Sequence, residues 1–188
     1  MSGKSFGLLA VSPKSLFISF FDYVERGDEE SWGTAVLGCK QEGFNPHILV
    51  TDLLPTYRVV ASYFKTYLYQ LCTNHARRDI TKIFRNLPTE AKKDKFFLKY
   101  MVKISMRFCA LFKENNIGRI NSHIGQIKRE LKLFYTEEKR KWAEPVLKFI
   151  ERNSNNLFLY KKLPEKRIDS TNNASLRLYL VFLNLSIR

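Results

Sequence analysis

An α/β fold with a mixed sheet, continued by a run of long helices, is what this sequence predicts, and three observations predict it. Short β-rich runs alternate with helix-period segments as far as Pro88, the order that builds an α/β layer. From Thr89 to Arg152 apolar residues recur at spacings of three and four, the period of amphipathic helices. Six turn and breaker residues (Pro13, Gly27, Gly43, Pro55, Pro88, Gly118) fall between or at the ends of these segments. The expected organisation is therefore an α/β core fragment over 1–88, a long-helix region over 89–152 and a tail over 153–188.

Taken in order, Phe6 to Val11 and Leu16 to Phe21 read as two strands joined by the turn Ser12-Pro13-Lys14-Ser15, a hairpin by spacing. Glu25-Arg26-Gly27-Asp28 is a loop. Glu29 to Gln41 places Trp32, Val36 and Cys39 at helical spacing, and Gly43 is a C-terminal stop. Ile48 to Thr51 is too short for a helix and reads as a buried strand. Pro55 can open a helix to Phe64, because a first turn needs no N–H from it. Tyr67 to Leu71 is the next strand, and a helix begins near Asn74. After Pro88, Thr89 is the expected cap of a continuous helix over Glu90 to Asn115, with Phe97, Met101, Ile104, Phe108 and Phe112 on its apolar side. Gly118 opens a helix whose stripe is Ile120, Ile124, Ile127, Leu131 and Phe134. A further helix, Glu137 to Arg152, holds Pro145, expected to kink or divide it. Asn153 to Asn156 reads as a polar loop, Leu157 to Tyr160 as a strand, Leu163 to Asn173 as loop, and Leu176 to Ile187 is apolar without clear caps.

The 188 residues suit one domain, or one with an appendage. With 32 Lys and Arg against 18 Asp and Glu, the formal charge of +14 attracts polyanions, so nucleic acid is the natural partner. No stretch reaches the roughly 18 uninterrupted apolar residues of a membrane span. The N-terminal apolar run is about six residues, shorter than the roughly seven of a minimal signal core. Cys39, Cys72 and Cys109 are too widely spaced for a disulfide framework and fit a reducing compartment, so a cytoplasmic location is expected.

The chemistry concentrates between His47 and Arg78. One short strand delivers Asp52 to its C-terminal end, where functional groups gather in open α/β sheets. Carboxylates placed there can hold Mg²⁺ for phosphodiester cleavage. The structural alternative is that Asp52 only caps the helix beginning at Leu53-Leu54-Pro55. The next strand delivers Cys72-Thr73-Asn74-His75. Its C-x-x-H spacing is half a zinc site, but His47, His123, Cys39 and Cys109 lie at unsuitable distances to complete it. Cys72 is instead expected as a buried strand-end residue and His75 as a polar helix-start residue facing a cleft. Arg77 and Arg78 follow in the first turns of that helix, where bidentate phosphate contacts are easy; ordinary solvated charge is the plainer reading. Lys92, Lys95, Lys99, Lys103 and Arg107 would share one helical face, without interleaved acids from Lys95 on, as a phosphate-tracking surface or simply as a solvated one. Asp22 is the best placed of the acids near the second strand to join Asp52, while Asp28 to Glu30 favour a helix N-terminus. No P-loop, dinucleotide fingerprint, HExxH or GxSxG motif occurs.

Thr51-Asp52, Tyr57 five residues on, and then Cys72-x-x-His75-Ala76-Arg77-Arg78 together resemble the core of bacterial insertion-sequence transposases of the DDE, RNase H-like class, and most nearly the insertion sequence sixty-six type. Phe6 to Val11 and Leu16 to Phe21 resemble that core's second and third strands, and Ser170-Thr171-Asn172-Asn173-Ala174-Ser175 its Asn-Asn element. The resemblance implies an incomplete RNase H-like mixed sheet with flanking helices and a helical insertion. By descent it implies DNA cleavage and strand transfer at element ends. It also implies two Mg²⁺ ions held by three carboxylates, of which Asp52 matches the second. The first would lie upstream of Gly3, and Leu176 stands where the glutamate is expected. A lone carboxylate holds Mg²⁺ poorly. The expectation is a truncated, catalytically silent transposase derivative. It would keep non-specific DNA affinity and pair with itself or with a full-length transposase through an exposed sheet edge. Its rivals are a basic architectural nucleic-acid-binding protein without catalytic ancestry, and a nuclease using Asp22 with Asp52.

Overall fold

The computed structural model describes residues 6–11, 18–24, 29–43, 47–62, 68–134 and 136–171, and every structural statement below is made of these. The chain is mostly helical with short strands, an α/β composition. It divides into two compact units, one reaching to Cys72 and taken up again at Ile168, the other Thr73–Arg167.

In the first unit, β1 (Phe6–Val11) and β2 (Ile18–Val24) form an antiparallel pair, with Leu8 opposite Asp22 and an irregularity between Ala10 and Val11. The helix α1 (Glu29–Gln41) ends as its sequence predicts. Gly43 turns the chain at φ 90°, a conformation that a side chain disfavours. The strand β3 (Ile48–Thr51) pairs in parallel with β4 (Leu68–Leu71), Ile48 opposite Leu68 and Thr51 opposite Leu71. A parallel pair needs a crossover. Between the two strands lies α2 (Pro55–Ser62), which packs against α1. Among the described residues the strands make two separate two-stranded sheets, not one mixed sheet.

The second unit is helical. It comprises α3 (Thr73–Arg85), α4 (Thr89–Lys93), α5 (Lys95–Ala110), α6 (Ile117–Lys132), α7 (Glu137–Leu157) and α8 (Leu159–Lys162), with a 3₁₀ turn at Pro164–Lys166. The expected apolar stripes meet in its core. Phe97, Met101, Ile104 and Phe108 of α5, Ile120, Ile124, Ile127 and Leu131 of α6, and Ala143, Val146 and Ile150 of α7 are all buried. Each large apolar side chain so placed contributes roughly 1.5–3 kcal/mol. Helix α3 packs on α5 and α7, and α6 on α7.

Five expectations need correction here. The long helix after Pro88 is broken at Asp94, which has an extended ψ of 94° and accepts the Phe97 N–H at 2.9 Å, so it caps α5 instead of continuing α4. Thr89 is the first helical residue and Pro88 the cap position, without a side-chain bond. Pro145 does not divide α7. That helix runs 21 residues through the proline to Leu157, because its buried side packs continuously on both sides of the break in hydrogen bonding. The polar run Asn153–Asn156 is its last turn and not a loop. Asn153 and Ser154 face inward, and Asn153 Nδ2 donates to the Phe149 carbonyl at 2.9 Å. Leu157 to Tyr160 is accordingly not a strand: Leu157 ends α7, Phe158 turns the chain, and Leu159 and Tyr160 open α8, with Phe158 buried against Phe112.

Candidate nucleic-acid interface

Asp52 stands at the end of β3, as its position after Ile48-Leu49-Val50 requires. Its Oδ1 accepts the Leu54 N–H at 3.0 Å, an Asx turn that shapes the entry to α2. Beside it Thr51 Oγ1 lies 2.9 Å from the Tyr69 hydroxyl on β4 and donates to the Asp52 carbonyl. Tyr57, in the first turn of α2, packs edge-on to Trp32 with ring centroids 4.9 Å apart. Burial first, then the negative charge of Asp52, pushes the Tyr57 phenol well above its ordinary range, so it stays a neutral hydroxyl. Among the described residues the donor set here is one carboxylate, already engaged through one oxygen, and by itself it does not fit Mg²⁺, which takes several hard oxygens. Among the described residues no group of three or more His, Cys, Asp or Glu converges on a metal position. Asp22 lies on β2, opposite Leu8.

Cys72, directly after β4, is fully buried, and its N–H donates to the Thr51 carbonyl at 2.7 Å. His75 opens α3 partly exposed, with Nδ1 buried and lacking a hydrogen-bond partner among the described residues. Arg77 and Arg78 are exposed in the same first turns, and Arg78 Nε lies 3.8 Å from Asp79. Asp52 and Cys72 belong to the first unit, His75 and the arginines to the second. Leu176 and Asn172 to Ser175 lie outside the described residues.

The five-residue basic stripe is divided. Lys92 sits on α4, separated by the Asp94 cap from Lys95, Lys99 and Lys103 on α5; all four are exposed. Arg107, at the end of that row, is half-buried and engaged within the unit. Its Nη1 donates to both carboxylate oxygens of Glu130 on α6, at 2.9 and 2.7 Å, and its Nη2 to Gln126 Oε1 at 3.2 Å. The Arg107 hydrogen bond holds the Glu130 carboxyl below the usual carboxylate range. Tyr100 also donates to Glu130, and burial together with that bond raises its phenol to about 12. Sequence spacing along one helix could not reveal this, since the acid that captures Arg107 lies 23 residues away.

Two further basic residues are engaged by partners within the unit. Lys139 pairs with the Asp94 cap at 2.9 Å. Lys161 Nζ donates to the carbonyls of Phe112, at 2.8 Å, and of Glu114, closing the chain after α5. Burial lowers its pKa. Even so, the charge is unevenly divided. Thr73–Arg167 carries 24 of the 32 basic residues and 10 of the 18 acids, hence the entire +14, while the remaining residues hold eight of each. The helical unit is the polycation and the rest of the chain is balanced.

Comparison with known proteins gives no matching family model, no matching curated protein and no matching solved structure. No helix among the described residues is long and apolar enough to cross a membrane.

Proposed function

We propose that this chain binds nucleic acid, DNA by descent, through its helical unit and does so without catalysis. The observation that carries the reading is the concentration of the whole +14 on Thr73–Arg167, with Arg77, Lys92, Lys95, Lys99 and Lys103 exposed on it. A surface of this kind gains affinity by releasing counterions from phosphates, whatever the base sequence.

The ancestry we propose is a DDE transposase with an RNase H-like core, whose chemistry is cleavage and strand transfer at element ends. Two features support it: Asp52 at the end of a strand paired in parallel with β4, and the CxxHARR run leading from β4 into α3. Asp52, the carboxylate that matches this class, is engaged in a turn through one oxygen. The partner is therefore DNA, with self-association or pairing with a full-length transposase through its strand edges. The test is lysine acetylation of the whole chain with and without bound duplex DNA. Protection confined to the helical unit is expected, and protection spread over both units would overturn the reading.

A further inference from the structure

The outer face of α5 is not purely basic. Phe96 is 89% exposed, Met106 69% and Val102 48%, on a helix whose other side already fills the core with Phe97, Met101, Ile104 and Phe108. Helical spacing sets these apolar groups beside the lysines: Phe96 is three residues from Lys99, Lys99 three from Val102, and Lys103 three from Met106. Lys95, Lys99 and Lys103 follow at steps of four, rising about 6 Å each. They form no ion pair among the described residues, whereas Arg107 in the same row is consumed by Glu130.

We infer that this face takes single-stranded nucleic acid, its lysines tracking consecutive phosphates while Phe96 offers a stacking platform to an unpaired base. The inference rests on the nucleic-acid reading above and narrows it. Duplex DNA needs only the charge, because its base faces are stacked on one another and closed to a side chain that lies on the surface. A single strand uses both parts: phosphates meet the ammonium groups, and an exposed π-face meets the ring whatever the base. An anionic membrane fits less well. A helix lying in a bilayer surface sinks one continuous apolar face, and the apolar face of α5 is spent on the core. Its outer apolar groups are interrupted by charge, with Phe96 and Met106 about 15 Å apart along the axis.

The experiment is fluorescence anisotropy of the full chain with a labelled oligothymidylate and with a duplex of equal length, at matched salt. Vesicles of anionic phospholipid serve as competitor. The oligothymidylate is expected to bind at least about tenfold more tightly than the duplex. Phe96→Ala should shrink that ratio by about tenfold, while Phe96→Trp preserves it. Phe96 is on the surface, so circular dichroism of the variants should match the parent. A duplex preference, a ratio unmoved by Phe96→Ala, or displacement of the oligonucleotide by vesicles each overturns the single-strand inference and leaves the general charge reading standing. Absence of binding to either nucleic acid overturns both.

Discussion

Replacing Arg107 by glutamine separates two roles that the sequence alone merges. Three hydrogen bonds join Arg107 to Glu130 and Gln126, two of them bidentate on the carboxylate, and both charged side chains are about 30% exposed. A fully buried charge-assisted bond contributes roughly 1.5–3 kcal/mol and a fully exposed ion pair roughly 0–1. At intermediate exposure the loss on Arg107→Gln should be about 1–2 kcal/mol, read as a lower urea midpoint at pH 7. The pH dependence has a definite sign. Glu130 has a folded pKa below its unfolded one, so its contribution is fully present above the unfolded value of about 4.3 and is lost as pH falls through the depressed folded value. The difference between parent and Arg107→Gln should thus be constant from pH 6 to 8, as an expectation of linkage, and shrink in more acidic buffer. Salt dependence gives the complementary readout. Lys99→Gln should lower the slope of log K against log salt for duplex DNA by about 0.9, one phosphate contact, whereas Arg107→Gln should leave it alone. A stable Arg107→Gln variant with a reduced salt slope would refute the assignment of Arg107 to the α5–α6 clasp.

Lys161→Met keeps the aliphatic stem and removes the ammonium that holds the Phe112 and Glu114 carbonyls; it should cost about 1.5–3 kcal/mol in equilibrium unfolding, and an unchanged midpoint would deny the clasp. Incubated with supercoiled plasmid and Mg²⁺, the parent chain should produce no nicking. Nicking that disappears in Asp52→Ala would show that Asp52 supports catalysis and would overturn the non-catalytic reading.

The elements most legible in the sequence were those whose local signals agree. Glu29–Gln41 with Gly43, Ile48–Thr51 and the start of a helix at Pro55 formed where their periodicity and turn residues place them, the expected end at Phe64 lying outside the described residues. The α5 and α6 stripes were legible for the same reason. Misreadings came where a local preference met a tertiary one. Pro145 and the Asn153–Asn156 run both discourage helix, yet the buried side of α7 holds them in it. Asp94 worked the other way: a continuous apolar period hid an acid able to cap a new helix. The candidate interface was half legible. Lys95, Lys99 and Lys103 needed only their spacing, whereas the fate of Arg107 and Lys161 depended on partners in other helices. The exposure of Phe96 is equally a tertiary outcome, set by which side of α5 its neighbours bury.

The claim that one unit carries the nucleic-acid affinity is tested most directly by mapping lysine reactivity along the whole chain. On saturation with duplex DNA, Lys92, Lys95, Lys99 and Lys103 should lose most of their acetylation, while Lys40 on α1, in the charge-balanced unit, reacts as before. Equal protection of Lys40, or undiminished reactivity of the α5 lysines in the DNA complex, would contradict it.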